Sequence, residues 1–231
     1  MRAVATQVVL LLLPWQLRRR ALQWLYGWHL HPTARIGLSV IIAKDVQMDA
    51  AAKIGDLNLI RGLDRLTMGP ASSVGRGNWV YAIPTGSPHL THEVDRRTEL
   101  LIGTGAGMSH RHLLDCSNTV RIGDYSGLVG HSTQIITHQI DMLRGRQSTR
   151  PVTVGSFCMI GTRSILLGGA VLPDRSVLGA GSTLRSAYTQ TQTIYSGVPA
   201  QATDVRLPDD AAFFCADKRD GSRRLKPYRR A

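Results

Sequence analysis

Three scarcities narrow what this chain can be. Of its 231 residues only 6% are aromatic, three are cysteine, and 16 are acidic against 28 basic. Cys116, Cys158 and Cys215 are odd in number and far apart, with no CxxC pair. That excludes a cysteine zinc site and a disulfide framework, and it points to reduced thiols in a cytoplasmic setting. The apolar run Val8–Leu13 is too short to span a bilayer. It also lacks the charge-before, cleavage-site-after order of a secretory signal. The shortage of acid leaves a formal charge of +12 and a pI near 10.5. No basic motif interleaved with aromatics accompanies that charge. Much of it sits at the ends: Arg18, Arg19 and Arg20, and residues 216–231 with seven Lys/Arg against two Asp. Nucleic acid is therefore not the expected partner; an anionic membrane surface or a polyphosphorylated ligand is.

Glycine, by contrast, is abundant, at 23 residues. Val154, Ile160, Leu166, Leu172, Leu178 and Leu184 recur every six positions, and Gly155, Gly161 and Gly179 follow three of them. Strands alternate every two residues and helices every 3.6, so neither explains a period of six. A chain wound into a triangular coil does, with one short strand and one corner per hexad and the apolar residue on the axis. The register extends upstream through Ile36, Ile42, Met48, Ile54, Ile60 and Leu66. It then runs, with two-residue slips, through Met68, Val74, Val80, Ile102, Met108, Leu114, Val120, Ile122 and Leu128, until Gln134 breaks the apolar rule.

Stacked turns bury apolar surface only against one another, so both ends need caps. Residues 1–30 read as an amphipathic, apolar segment: a helix from Pro14 puts Leu17, Ala21, Trp24, Leu25 and Trp28 on one face, with arginines to meet lipid phosphates. A cap over the first coil is the alternative. Residues 31–206 form the coil. Residues 207–231 read as one docked helix around Ala211–Phe214 followed by a basic tail.

Chemistry belongs where the hexads fail. Two polar insertions qualify, 84–100 and 137–151. His138 opens the second, with Asp141 three residues on, and a histidine there is suited to remove a proton from a hydroxyl. His112 and Asp115 repeat that H-x-x-D spacing within the 108–114 hexad, and His110 and His131 lie nearby.

From Ile102 to Arg206 the chain resembles the hexapeptide-repeat O-acetyltransferases, acyltransferases of left-handed parallel β-helix fold that modify polysaccharide or glycolipid sugars. The resemblance rests on RIGDYSGLVGHSTQIITHQID (121–141), PVTVGSFCMIGTRSILLGGAVLPDRSVLGAGSTL (151–184) and YSGVPAQATDVR (195–206). It implies an all-β, left-handed coil with short helical extensions, a homotrimer, and acetyl-CoA as co-substrate in the groove between subunits, with no metal. It further implies His138 as catalytic base; Asp141 and His112 are the further catalytic candidates that the H-x-x-D spacing offers. Gly161 and Ala180 match positions that meet the pantetheine arm. Arg185 and Ser186 stand where the family often has Thr-Lys near the CoA phosphates, and Arg206 stands in for a missing lysine at Gln201. The acceptor implied is a sugar or glycolipid at the inner face of the cytoplasmic membrane, the enzyme cytoplasmic or peripheral there. Competing readings are a sugar N-acyltransferase, a γ-class carbonic anhydrase, whose paired-histidine spacing is absent, and a non-catalytic scaffold.

Overall fold

The computed structural model describes residues 2–209 and 211. The coil is a left-handed parallel β-helix, a triangular prism of three parallel faces visited in turn. The first face stacks His29–Leu30, residues 45–48, 65–68, Glu99–Ile102, Val120–Ile122, Val152–Val154 and Val171–Leu172. The second runs from Arg35–Ile36 through Gly107–His110 and Gly127–His131 to Val177–Leu178 and Thr193–Gly197. The third stacks residues 40–42, 59–61, Trp79–Tyr81, Leu113–Asp115, Gln134–Ile136, Ile165–Leu167 and Thr183–Leu184. The corner that follows each face is named here the first, second or third edge.

The hexad residues fill the axis: Val154, Ile160, Leu166, Leu172, Leu178 and Leu184 are all fully buried. Each such side chain contributes about 1.5–3 kcal/mol of burial. Two upstream assignments shift. Ile41, not Ile42, points inward: it pairs in register with the inward Ile60, and only five residues separate it from Ile36, so the corner between them is one residue short of the hexad. Ile135 replaces Gln134 at the apparent break: Gln134 faces out, Ile135 is fully buried, and the coil continues.

A second buried column runs down the second edge. Ser39, Asn58, Asn78, His112, Thr133, Ser164 and Ser182 each immediately precede a third-face strand, and all are 0–2% exposed. Asn58 Nδ2 donates to the Gly75 carbonyl at 2.8 Å, and Asn78 Nδ2 donates to Asn58 Oδ1 at 2.9 Å. The His112 amide donates to Asn78 Oδ1 at 2.9 Å, and the Thr133 amide to His112 Nδ1 at 3.1 Å. Short polar side chains at this position satisfy backbone groups the corners would otherwise leave unpaired.

The helices α1 (Arg2–Leu10) and α2 (Trp15–Tyr26) cover the N-terminal end. Leu22 and Trp28 are buried over the first coil, and Arg18 is buried beside them. The Arg18 guanidinium donates to the carbonyls of Gly37 at 2.8 Å and Ser39 at 3.0 Å. Desolvation lowers its pKa below the usual arginine value. Of the face expected from the sequence, Trp28 packs inward while Leu17, Trp24 and Leu25 face solvent. The other end is closed by an antiparallel hairpin, Thr193–Gly197 with Ala200–Arg206, whose Tyr195 is fully buried. The expected helix and basic tail of 207–231 fall almost wholly outside the described residues. Among those described, no helix is long and apolar enough to cross a membrane.

Candidate active site

Both insertions leave the coil at the third edge, and the chemistry gathers there. Leu113–Asp115 pairs in register with Gln134–Ile136, so the chain leaving Ile136 turns directly over the end of Asp115. The Asp115 carboxylate is fully buried and accepts from the amides of Ser117 at 2.9 Å, Thr137 at 3.2 Å and His138 at 3.0 Å. It also accepts from the Ser117 hydroxyl and from His138 Nδ1. Burial pushes its pKa up, but the hydrogen bonds from His138 and Ser117 outweigh burial and hold it below the usual carboxylate range. An ionised Asp115 fixes the His138 proton on Nδ1. That leaves the Nε2 lone pair outward on a side chain 29% exposed, with no hydrogen-bond partner among the described residues. The hydrogen bond to Asp115 raises the pKa of His138, against the lowering effect of burial.

The loops brace this pair. His138–Asp141 and Arg146–Thr149 form an antiparallel hairpin with His138 opposite Thr149. The first insertion, with its single helical turn Pro88–Leu90, packs on that hairpin. His92 Nε2 bonds the Gln147 carbonyl at 2.8 Å, and the Thr149 amide donates to Glu93 Oε1 at 3.2 Å. Asn118 Nδ2 donates to Thr149 Oγ1 at 3.0 Å. The buried Arg96 ties the insertion to the coil through the carbonyls of Ile83, Pro84 and Ser117.

The other expected residues are dispersed. Asp141 does not reach His138; it accepts from the amides of Leu143 and Arg144 and pairs with the Arg144 guanidinium at 3.0 Å, shaping the hairpin turn. His112 does not pair with Asp115 and lies at the opposite end of the same strand, as the polar column's histidine rung. Its Nε2 is buried without a partner, and burial, aided by His110 and His131, lowers its pKa to about 4. Both its hydrogen bonds thus run along the column, to Asn78 and to Thr133.

Gly161 and Ala180 stack on one another at the second edge; a Cβ on Gly161 would stand 2.5 Å from the Ala180 nitrogen, so coil packing alone demands glycine. Arg185 and Ser186 are exposed on the third edge, the His138 edge, beyond the coil whose Gly168 packs against the Thr137 carbonyl. Arg206 lies in the closing hairpin, its guanidinium on Gln192 Oε1 at 3.1 Å. Cys116 and Cys158 are buried thiols, the first pushed well above the usual value by burial and Asp115, the second to about 12 by burial. Burial favours the protonated thiol at both. Among the described residues no group of three His, Cys, Asp or Glu is placed to hold a metal ion.

A half-exposed imidazole with a free Nε2 and an ionised, buried orienting carboxylate is equipped for general-base catalysis. Sequence spacing set Asp141 beside His138; in the structure Asp115 takes that place. The signal for Asp115 lay in coil register: Leu114 and Ile135 occupy equivalent inward positions, so Asp115 and Ile136 are stacked.

No protein-family model matches the sequence, and no curated protein matches it. Among solved structures the fold is similar to the polysialic acid O-acetyltransferase OatWY. That match has 14% identity and a TM-score of 0.60, over 78% of this chain and 84% of that one. It is also similar to a variant of AntD, an N-acyltransferase from Bacillus cereus, in complex with coenzyme A and dTDP-4-amino-4,6-dideoxyglucose. Here identity is 17% and the TM-score 0.51, over 74% of this chain and 85% of that one.

Proposed function

We propose that the chain is an acetyl-CoA-dependent O-acetyltransferase that acts on a sugar hydroxyl of a surface polysaccharide or its glycolipid precursor. The observation that carries this reading is the His138–Asp115 pair, with Asp115 fully buried and His138 part-exposed at the root of the second insertion. In this reading His138 Nε2 takes the proton of the acceptor hydroxyl as its oxygen attacks the acetyl thioester carbonyl. The tetrahedral intermediate collapses with cleavage of the C–S bond, and the proton on Nε2 passes to the departing thiolate. Asp115 stabilises the imidazolium formed in between, and no acyl-enzyme is needed. Acetyl-CoA is the co-substrate: Gly161 and Ala180 flank the pantetheine arm, and Arg185, Ser186 and Arg206 supply polar and cationic groups for its phosphates.

The fold likeness to OatWY, an enzyme of O-acetylation, supports the hydroxyl acceptor. The likeness to AntD supports the second reading, acyl transfer to a sugar amine. Purified enzyme with acetyl-CoA and a panel of hydroxy- and amino-sugars decides between them, with free CoA thiol and product mass as readouts. An ester product loses its acetyl group in mild alkali and an amide does not. Absence of thiol release with every acceptor would sink both.

A further inference from the structure

The N-terminal cap leaves one surface unexplained by coil closure. Helix α2 turns Arg18 and Leu22 inward, so its outer face carries Leu17, Arg20 and Trp24 at i, i+3 and i+7. Trp24 is 84% exposed. Val8, Val9, Leu12 and Leu13, from α1 and the turn after it, are exposed as well, Leu12 to 84%. Beside this apolar ridge lies a cavity of about 270 Å³ lined by Arg19, Arg20 and Arg35, with Gln16, Leu17 and Pro32 and no carboxylate. None of the three arginines forms an ion pair among the described residues. Leu17 belongs to both the ridge and the cavity wall.

We infer that this end of the prism docks on an anionic phospholipid membrane, with the apolar ridge in the interface and a lipid phosphate in the arginine cavity. The chemistry is specific. Guanidinium groups match phosphate oxygens in pairs. Tryptophan and leucine on the same helix face favour the headgroup–acyl boundary. The net charge of +12 attracts the chain to such a surface before contact. The inference goes beyond the proposed transfer reaction and does not depend on it.

The test is co-sedimentation of the full chain, without acetyl-CoA, with vesicles of phosphatidylcholine alone or mixed with phosphatidylglycerol. Binding to the mixed vesicles, release by salt and little binding to neutral vesicles are expected. Arg20→Gln with Arg35→Gln should weaken binding about 25-fold, roughly fivefold per charge. Leu12→Ser should weaken it while leaving the salt dependence in place. All three side chains lie outside the buried core, so melting temperature serves as the control that the variants are folded. Equal binding to neutral vesicles, or wild-type binding by the double variant, would overturn the inference. So would inorganic pyrophosphate protecting the wild type, but not the double variant, against unfolding while vesicles fail to bind, which would make the cavity a soluble-phosphate site. A lipid-free assembly that dissociates on Leu12→Ser would instead assign the ridge to a second copy of the chain.

Discussion

At the scale of single residues, two histidines near opposite ends of the strand Leu113–Asp115, His112 preceding it and His138 bonded to Asp115 at its end, predict opposite pH behaviour. His138 has a raised pKa because Asp115 stabilises its charged form. Its contribution to stability is fully present below the ordinary histidine value of about 6.5 and is lost as pH rises through the raised folded value. Catalysis runs the other way, since the base must be neutral: kcat/KM should climb with pH through an apparent pKa above about 6.5. His138→Ala should cut kcat by roughly 10² to 10⁴, with CoA affinity measured by titration unchanged. Asp115→Asn should lower kcat and move the acid limb to lower pH. A limb that stays in place would free His138 of its partner. His112 has a folded value of about 4, so the unfolded chain binds more protons between there and about 6.5. Stability should therefore fall with acid across that window. His112→Asn, which copies the Asn58 and Asn78 rungs, should abolish this loss in denaturant titrations at a series of pH values and leave turnover near wild type. A collapse of turnover would return His112 to the mechanism.

At the scale of elements, the two insertions pack on one another, and Glu93 is one contact between them, beside His92 on the Gln147 carbonyl. Glu93→Ala removes the acceptor of the Thr149 amide, opposite His138 in the hairpin. Stability should drop by about 1 kcal/mol, while kcat falls further, up to about 10²-fold for a histidine displaced by an ångström. Glu93→Gln, whose amide oxygen still accepts, should restore most of the rate. Equal loss in both variants would show that charge, not hairpin position, matters. These insertions also mark where sequence reading stops. The hexads of 154–184 were legible because stacking repeats one steric demand per corner. Before Ile41 and Ile135 the corner is one residue shorter or longer than the hexad, five residues from Ile36 and seven from Leu128, and an apolar period alone does not resolve that. His138 stood out as polar chemistry at the break in the repeat. Its bond to Asp115, 23 residues upstream, depends on which coil lies beneath which, and short-range spacing pointed instead to Asp141 and to the His112 pair. The packing of 84–98 on 137–151 is longer in range still: His92 and Gln147 meet across 55 residues, with no pattern in either segment to announce it. The N-terminal helices had a legible amphipathic stripe, but the use of Arg18 as a buried cap on open carbonyls contradicts what a charged residue suggests before the coil end is in view.

At the scale of the whole molecule, the geometry of a prism constrains how a complete site can be made. His138 and Asp115 lie on the third edge, whereas Gly161 and Ala180, proposed to flank the co-substrate, lie on the second. Within one chain these edges are the two ends of the same third-face strands, separated by a strand of about 10 Å. A straight pantetheine arm along the second edge thus leaves its thioester away from the same chain's Nε2. Two chains packed edge to edge bring a third edge against a neighbour's second edge, and a closed ring of three supplies every such pairing. We therefore expect a homotrimer whose sites are shared, and complementation tests it without any structure of the assembly. Ala180→Glu places a charge in the proposed donor groove at an exposed position, leaving the core untouched. His138→Ala removes the base. Each pure trimer should be nearly inactive. When the two are unfolded, mixed equally and refolded together, an interface formed by the Ala180→Glu chain's intact third edge and the His138→Ala chain's intact second edge is whole. Random assembly yields such an interface at about one quarter of positions, and activity should recover to about that fraction of wild type. Mixing without refolding is the control: recovery there would report chain exchange between assembled trimers. If co-refolded mixtures stay inactive while a wild-type and His138→Ala mixture recovers half its activity, base and donor groove belong to one chain, and the shared-site reading fails.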